Sequence, residues 1–145
     1  MKDGRSVLLI DSDAADAMQL QEIFQMLGVS APILHYTDST EALAYLTEAD
    51  SVKPCLILLH LNASGLPIAD FLRAVKADEE VGMLPVVVLA DQRQEQCVDA
   101  CFALGVAGYM IKSEQYERLI RDLHVIIQYW SLSRLPSKLE FVSLD

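Results

Sequence analysis

Basic residues are scarce in this sequence. Lysine and arginine together number 11, against 21 aspartates and glutamates, which gives a formal net charge of -10 at pH 7. This surplus of negative charge argues against the phosphate backbone of a nucleic acid, or an anionic membrane, as the main partner. We therefore expect no nucleic-acid or membrane partner, and favour a protein partner with a basic surface.

Long hydrophobic runs are also missing near the start of the chain. The first apolar run, over residues 7–10, is too short for a signal peptide or a membrane span. We therefore expect a cytoplasmic protein.

Cysteine is rare as well, with only Cys55, Cys97 and Cys101 in the chain. An odd number of cysteines without an export signal predicts reduced thiols rather than structural disulfides. Cys97 and Cys101 lie four residues apart and would share one side of a helix. Their apolar neighbours favour a place in the core, and a redox switch is the alternative.

Apolar residues, by contrast, make up 52% of the 145 residues. That content is enough for one buried core, so we predict one domain over residues 1–131 and an extension over residues 132–145. We therefore expect no DNA-binding or enzymatic output domain. The extension carries Leu135, Leu139 and Phe141, and we expect it to pack on this domain or on a second copy of the chain.

The stretch over residues 54–67 organises the rest of the chain. Residues 56–59 are all apolar, which is typical of a strand buried on both faces of a parallel sheet. His60 follows directly, at the carboxyl end of that strand. Ligands bind at this end of the strands in open α/β sheets, so His60 is a candidate functional residue.

The whole chain alternates predicted strands with predicted helices. The strands cover residues 7–10, 33–36, 56–60, 86–89 and 108–111. The helices cover residues 14–27, a segment from the capping box at 38–41 to near 49, 68–77, 95–104, and a last long helix capped by Ser113. Five such units predict an α/β fold with an open, doubly wound, five-stranded parallel sheet in the strand order 2-1-3-4-5.

The carboxyl ends of these strands carry a distinctive set of residues. They are Asp11, Ser12, Asp13, His60, Ala90 and Lys112. Together with residues 56–66, Leu84-Pro85-Val86 and the segment 104–112, this set resembles the receiver domain of bacterial two-component response regulators. The resemblance covers roughly the first 130 residues, close to one typical domain length.

The departures from the receiver pattern decide what the resemblance implies. An active receiver has a phosphoacceptor aspartate where this chain has His60, a second acid where it has Ser12, and a hydroxyl residue where it has Ala90. Only Asp11 and Lys112 of the usual set remain. Magnesium prefers oxygen ligands, so we expect magnesium binding to be lost or weak, and no other cofactor.

The resemblance therefore implies a pseudo-receiver. We expect a single-domain, response-regulator-like signalling protein that is not an enzyme and that acts by binding a protein without being phosphorylated. The alternative is an active phosphorelay receiver in which His60 accepts the phosphoryl group from a histidine kinase.

Three further roles for the histidine stay open beside these two. The preferred one is a fixed polar cluster in which His60 pairs with Asp11 or Asp13 and lies near Lys112. A pH-dependent switch is the second, because histidine titrates near neutral pH. A transition-metal site formed by Asp11, Asp13 and His60 is the third. Lys112 is also interpreted as a salt-bridge partner of Asp11.

Receivers commonly pair through the face formed by the fourth helix, the fifth strand and the last helix. In this chain that face would include Val106, Tyr109, Tyr116 and Trp130, and Tyr109 matches the aromatic residue whose movement reports phosphorylation in the family. Trp130 and the Leu135-Pro136 tail resemble the extended end of single-domain regulators associated with bacterial phytochromes. We therefore expect a homodimer through this face, or a partner such as a histidine kinase or another signalling protein.

Overall fold

The computed structural model of the protein describes residues 5–91 and 95–133. Five parallel strands form one sheet in the order β2-β1-β3-β4-β5. The strands are β1 (Val7–Ile10), β2 (Ile33–Tyr36), β3 (Leu56–His60), β4 (Val86–Ala90) and β5 (Gly108–Ile111). The predicted fold class and strand order are confirmed.

A helix follows each strand. The helices are α1 (Ala14–Met26), α2 (Ser39–Thr47), α3 (Ile68–Ala77), α4 (Glu95–Ala103) and α5 (Tyr116–Leu132). Asp38 caps α2 by accepting hydrogen bonds from the backbone N–H groups of Thr40 and Glu41, as the capping-box pattern predicts.

The sheet is buried on both faces, which explains why its central strands are wholly apolar. On one face, Leu8, Ile57 and Val88 pack with residues of α2, α3 and α4. On the other face, Leu9, Leu58 and Leu89 pack with residues of α1 and α5. Alternate side chains of each strand therefore enter different halves of the core.

Three helix ends differ from the predicted bounds. Helices α1, α2 and α4 end at Met26, Thr47 and Ala103, one or two residues earlier than expected. The start of α5 is a larger correction, because its N-cap is Gln115 and no side chain caps it. The Ser113 hydroxyl instead accepts a hydrogen bond from the backbone N–H of Gln115, before the helix begins.

Residues 134–145 lie outside the described residues, and with them most of the extension predicted over 132–145, including Leu135, Pro136, Leu139 and Phe141. Among the residues that are described, none of the helices is long and apolar enough to cross a membrane.

Candidate functional site

The sheet brings Asp11, His60, Ala90 and Lys112 to its carboxyl edge. His60 and Ala90 are the last residues of β3 and β4, and Asp11 and Lys112 follow β1 and β5 directly. These residues line one crevice, which we call the carboxyl-edge crevice. The topology requires this, because parallel strands end at the same edge.

Asp11 is fully buried at the base of the crevice. Its Oδ1 accepts a hydrogen bond from the backbone N–H of Asp13 at 2.9 Å. Its Oδ2 is buried and has no hydrogen-bond donor among the described residues. Burial, followed by the adjacent carboxyl of Asp16, raises the pKa of Asp11. One of these two carboxyls therefore keeps a proton more readily than an isolated aspartate would.

Asp16, in the first turn of α1, holds the lysine of the crevice. Lys112 Nζ donates hydrogen bonds to both carboxylate oxygens of Asp16. Burial acts to raise the pKa of Asp16, but its side-chain contacts with Asp11 and Lys112 and the charge of Lys112 lower it. The bond with Lys112 therefore favours the ionised form of Asp16.

Lys112 is itself buried, and only 7% of its side chain is exposed. Its Nζ lies 3.7 Å from Asp91 Oδ1, which belongs to an exposed side chain at the rim of the crevice. Its backbone N–H donates to the carbonyl of Ala90 at 2.8 Å, which fixes β5 to β4. The predicted pairing of Lys112 with Asp11 is wrong, because the carboxylate that Lys112 Nζ binds is that of Asp16.

His60 is buried, and its two ring nitrogens have different partners. Nδ1 accepts a hydrogen bond from the backbone N–H of Asn62 at 3.1 Å, so the proton of the neutral ring is on Nε2. Nε2 points to Asp91 Oδ1 at 3.4 Å and to Asp16 Oδ2 at 3.8 Å. The predicted polar cluster is present, but the partners of His60 are Asp16 and Asp91 instead of Asp11 or Asp13.

The side chains of Asp13 and Ser12 form hydrogen bonds with backbone groups around the crevice. Asp13 is the N-cap of α1, where its Oδ1 accepts hydrogen bonds from the N–H groups of Ala15 and Asp16. The Ser12 hydroxyl donates to the carbonyl of Asn62 at 2.7 Å, and the Ser12 N–H donates to Asn62 Oδ1 at 3.2 Å. These bonds join the loop after β1 to the loop after β3.

Ala90 presents only a methyl group to the crevice. The residue is 2% exposed, and its neighbour Asp91 is 69% exposed at the side chain. No hydroxyl therefore stands at the end of β4.

Asp11, Asp16 and His60 bring possible metal-ligand atoms close together. One ligand atom from each lies within 4.8 Å of the other two. This set replaces the predicted set of Asp11, Asp13 and His60, because the Asp13 carboxylate is committed to the cap of α1.

Asp16 and Asp91 are the two residues of the crevice that the sequence did not reveal. Asp16 lies 96 residues from Lys112, and its position in the first turn of α1 is that of an ordinary solvent-facing acid. Asp91 directly follows Ala90, which is one of the predicted site residues. An acid in the first turn of the helix that follows a strand's carboxyl end is the signal that would have identified Asp16.

The face formed by α4, β5 and α5 presents both polar and apolar groups. Tyr109 is half-buried, and its hydroxyl is buried with no hydrogen-bond partner among the described residues. Tyr116 is 46% exposed. Trp130 is half-buried and meets the ring of Tyr129 edge to face, with centroids 4.7 Å apart. Val106 packs in the core and contributes little surface.

None of the three cysteines, all of which lie among the described residues, forms a disulfide, as expected. Cys55 and Cys101 are buried, whereas Cys97 is partly exposed. Burial, and then the neighbouring Cys97, raise the pKa of the Cys101 thiol. The pair on α4 thus contains one core residue and one residue that solvent reaches.

No family model matches the chain. The sequence is 28% identical over 128 residues to the response regulator Rcp1 of Synechocystis sp., covering 86% of this chain and 87% of the relative. It is also 28% identical over 127 residues to the probable methanogenesis regulatory protein FilR2 of Methanothrix harundinacea, covering 86% and 82%. Among solved structures, the phosphorylated cyanobacterial phytochrome response regulator RcpA superposes with a TM-score of 0.82 at 29% identity, covering 92% of this chain and 99% of that one.

The strand order and these similarities strongly support a response-regulator receiver domain. They also support a signalling role of the response-regulator kind. The residues of the carboxyl-edge crevice then decide how such a receiver would work.

Proposed function

We propose that this protein is a degenerate receiver, located in the cytoplasm, that signals by binding a protein partner without being phosphorylated. The observation that carries the proposal is the bond between Lys112 and Asp16. A lysine at this position would have to neutralise an incoming phosphoryl group. Here the internal carboxylate of Asp16 already neutralises it.

The charge of the crevice favours the same conclusion. Three carboxyl groups, those of Asp11, Asp16 and Asp91, share the crevice with one lysine. A phosphoryl group adds more negative charge, and like charges at close range in a partly buried site repel strongly. The crevice is therefore suited to hold a positive charge and not to stabilise the transition state of phosphoryl transfer.

His60 is a poor replacement for a phosphoacceptor aspartate. The nitrogen that faces the crevice, Nε2, carries the ring proton, so it has no lone pair with which to attack phosphorus. The other nitrogen is occupied by the N–H of Asn62. Phosphorylation would require a base to remove the Nε2 proton, with no hydroxyl at Ala90 to hold the phosphoryl oxygens.

Magnesium does not fit the donors of this crevice. It takes oxygen ligands in octahedral geometry. Here His60 offers nitrogen, the Ser12 hydroxyl is bound to Asn62, and the ammonium of Lys112 occupies both oxygens of Asp16. We therefore propose that the protein does not hold magnesium and needs no other cofactor for signalling.

Intact mass spectrometry tests the proposal against its rival, an active relay through His60. The protein is incubated with acetyl phosphate or phosphoramidate in the presence of magnesium, and its mass is measured without acid. We expect no added phosphoryl group. A labile adduct that disappears in His60→Gln would support phosphorelay by a histidine kinase instead.

The face formed by α4, β5 and α5 is the proposed contact surface. Exposed apolar side chains stand on each of its three elements: Phe102 on α4, Ile111 on β5, and Tyr116 on α5, with exposed fractions of 49%, 38% and 46%. Clusters of exposed apolar groups mark protein contacts. The partner is a second copy of this chain, or a histidine kinase or other signalling protein.

Size-exclusion chromatography with light scattering tests the homodimer. We expect a dimer that dissociates in the Tyr116→Ser variant, because that change removes an exposed ring from the face. The matched control is Val52→Ser, which changes an exposed apolar residue after α2. A protein that stays monomeric at high concentration would rule out the homodimer and leave the other signalling partners, which a pull-down with Tyr116→Ser and Val52→Ser would compare.

A further inference from the structure

An apolar groove of about 580 Å³ runs between β5 and the second half of α5. Met110 of β5 and Ile126 and Trp130 of α5 are among the residues that line it. Gly108 opens the groove, because it pairs with Val87 and carries no side chain. A Cβ at position 108 would lie 3.7 Å from Val87 Cγ2, so the Val87 side chain forms part of the lining. We call this space the β5–α5 groove.

Exposed apolar side chains on α5 continue the groove towards the end of the helix. They are Val125, Tyr129 and Leu132, and each is more than half exposed. Their spacing of four and three residues places them on one face of the helix. An apolar surface of this kind marks a place where another segment or molecule binds.

The segment over residues 134–145, which lies outside the described residues, begins just after α5 ends. In its sequence, Leu139 and Phe141 alternate with Lys138 and Glu140. Successive side chains of an extended chain point to opposite sides, so this pattern gives one apolar side and one charged side. Such a segment can lie on an apolar surface and keep its charges in water.

The length of the segment matches the length of the groove. Leu139 and Phe141 come three and five residues after Pro136, a residue that favours turns. An extended chain covers about 3.3 Å per residue, so these side chains lie about 10–17 Å beyond the turn. Along α5 the groove runs from Trp130 back to Asp122, which is about 12 Å at the rise of a helix. A chain that turns at Pro136 can therefore reach the groove.

The handedness of the fold disfavours a sixth strand made from this segment. The chain leaves α5 at the amino edge of the sheet, so such a strand would run parallel to β5. Helices α3 and α4, which connect β3 to β5, pack on one face of the sheet, and α5 packs on the other. A connection through α5 to a strand beyond β5 would therefore be left-handed, which is very rare between parallel strands. Contact through side chains is favoured instead.

We propose that the segment folds back and inserts Leu139 and Phe141 into the β5–α5 groove of the same molecule. A segment joined to its groove by a short linker has an effective concentration in about the millimolar range, which a second copy does not reach in dilute solution. The proposal goes beyond the proposed function, because Ile111 and Tyr116 of the contact surface lie at the carboxyl-edge ends of β5 and α5, whereas the groove begins at Gly108.

The fluorescence of Trp130, the one tryptophan in the chain, tests the proposal in the full-length protein. Loss of each apolar side chain should lower the docking equilibrium constant by more than about tenfold. We therefore expect Leu139→Ser/Phe141→Ser to shift the emission to longer wavelength and to increase quenching by acrylamide. The matched control, Lys138→Ser/Glu140→Ser, should behave like the wild type. Wild-type emission and quenching in both double variants would overturn the proposal.

A mixing experiment separates the segment of the same molecule from that of a second copy. Leu139→Ser/Phe141→Ser protein is mixed with an excess of Trp130→Phe protein, which has an intact segment and no tryptophan emission. We expect the emission of the mixture to stay at the longer wavelength. A return to the wild-type wavelength would show that the segment binds the groove of a second copy and would overturn the proposal.

Trypsin digestion of groove variants gives an independent measurement. Docking should protect the bond after Lys138, since cleavage follows the undocked population. Val125→Ser weakens the groove, and Gly108→Val fills it with a side chain that suits a strand. Both should speed this cleavage, measured by intact mass, whereas Val52→Ser, an equally exposed position outside the groove, should not. Circular dichroism confirms folding, and wild-type cleavage rates in folded Val125→Ser and Gly108→Val would refute the docking.

Discussion

Lys112, which follows β5, donates hydrogen bonds to both carboxylate oxygens of Asp16 in the first turn of α1. The two residues are 96 positions apart in the sequence. Their bond ties the last strand of the sheet to the first helix across the carboxyl-edge crevice. The Asp16 carboxylate already neutralises the ammonium of Lys112. For this reason we regard the crevice as closed to a phosphoryl group.

Removal of the Asp16 carboxylate should destabilise the fold. Asp16→Asn leaves the buried ammonium of Lys112 without a charged partner, and we expect the free energy of unfolding to fall by about 2 kcal/mol. Urea unfolding followed by circular dichroism measures the change. The control is Asp70→Asn, which breaks an exposed pair with Arg73 and should cost less than about 0.5 kcal/mol. Equal effects of the two substitutions would show that the Lys112 bond contributes little.

Restoration of a carboxylate at position 60 should not restore phosphorylation. In His60→Asp, Ser12 still bonds to Asn62, Ala90 still lacks a hydroxyl, and Asp16 still holds Lys112. We expect no magnesium-dependent adduct after incubation with acetyl phosphate. A robust adduct in this single variant would show that the neighbouring positions are not the obstacle.

Tyr109 has a buried hydroxyl without a partner among the described residues, so Tyr109→Phe should be neutral or stabilising by about 1 kcal/mol near pH 7. The pH dependence of the free energy of unfolding should also change. Burial, followed by Cys97 and Cys101, raises the pKa of Tyr109 above 10.0. The folded state then holds its proton more tightly, so stability declines as pH rises from the unfolded pKa to the folded one.

The Tyr109→Phe variant has no phenol to ionise, so the loss of stability that Tyr109 causes at alkaline pH should be absent from it. Thermal melts of the wild-type and Tyr109→Phe proteins between about pH 8 and 11 measure it, around the ordinary tyrosine pKa. Identical pH profiles, together with a clear loss of stability at pH 7, would indicate that the hydroxyl has a partner.

The cysteines should differ in reactivity. Cys97 is partly exposed, so we expect it to react first with iodoacetamide, while Cys55 and Cys101 react slowly. The raised pKa of Cys101 means that its thiolate forms only at higher pH than usual. Peptide mapping of partly alkylated protein measures the order. Labelling of Cys101 as fast as Cys97 would contradict the buried position of Cys101.

Most of the fold could be predicted because the strands are short apolar runs between polar segments. Val86 to Leu89 and the residues before His60 read as buried strands, and Gly28 marked the end of α1. The start of α5 was missed because Ser113 has the chemistry of an N-cap but hydrogen-bonds to the N–H of Gln115 before the helix begins.

The partners within the crevice could not be predicted in the same way. His60 and Lys112 were found because they end strands. Asp16 was not found, because its contact with Lys112 depends on how α1 packs against the edge of the sheet, and not on a local pattern. Asp13 was favoured instead, although its position before α1 also identifies it as a helix cap.

Backbone amide NMR spectra recorded with magnesium and beryllofluoride test whether the carboxyl-edge crevice is closed to a phosphoryl group, because beryllofluoride mimics that group. We expect the amide signals of Asp11, His60 and Lys112 not to move when both are added. A saturable shift of these signals that requires both additives would contradict this expectation.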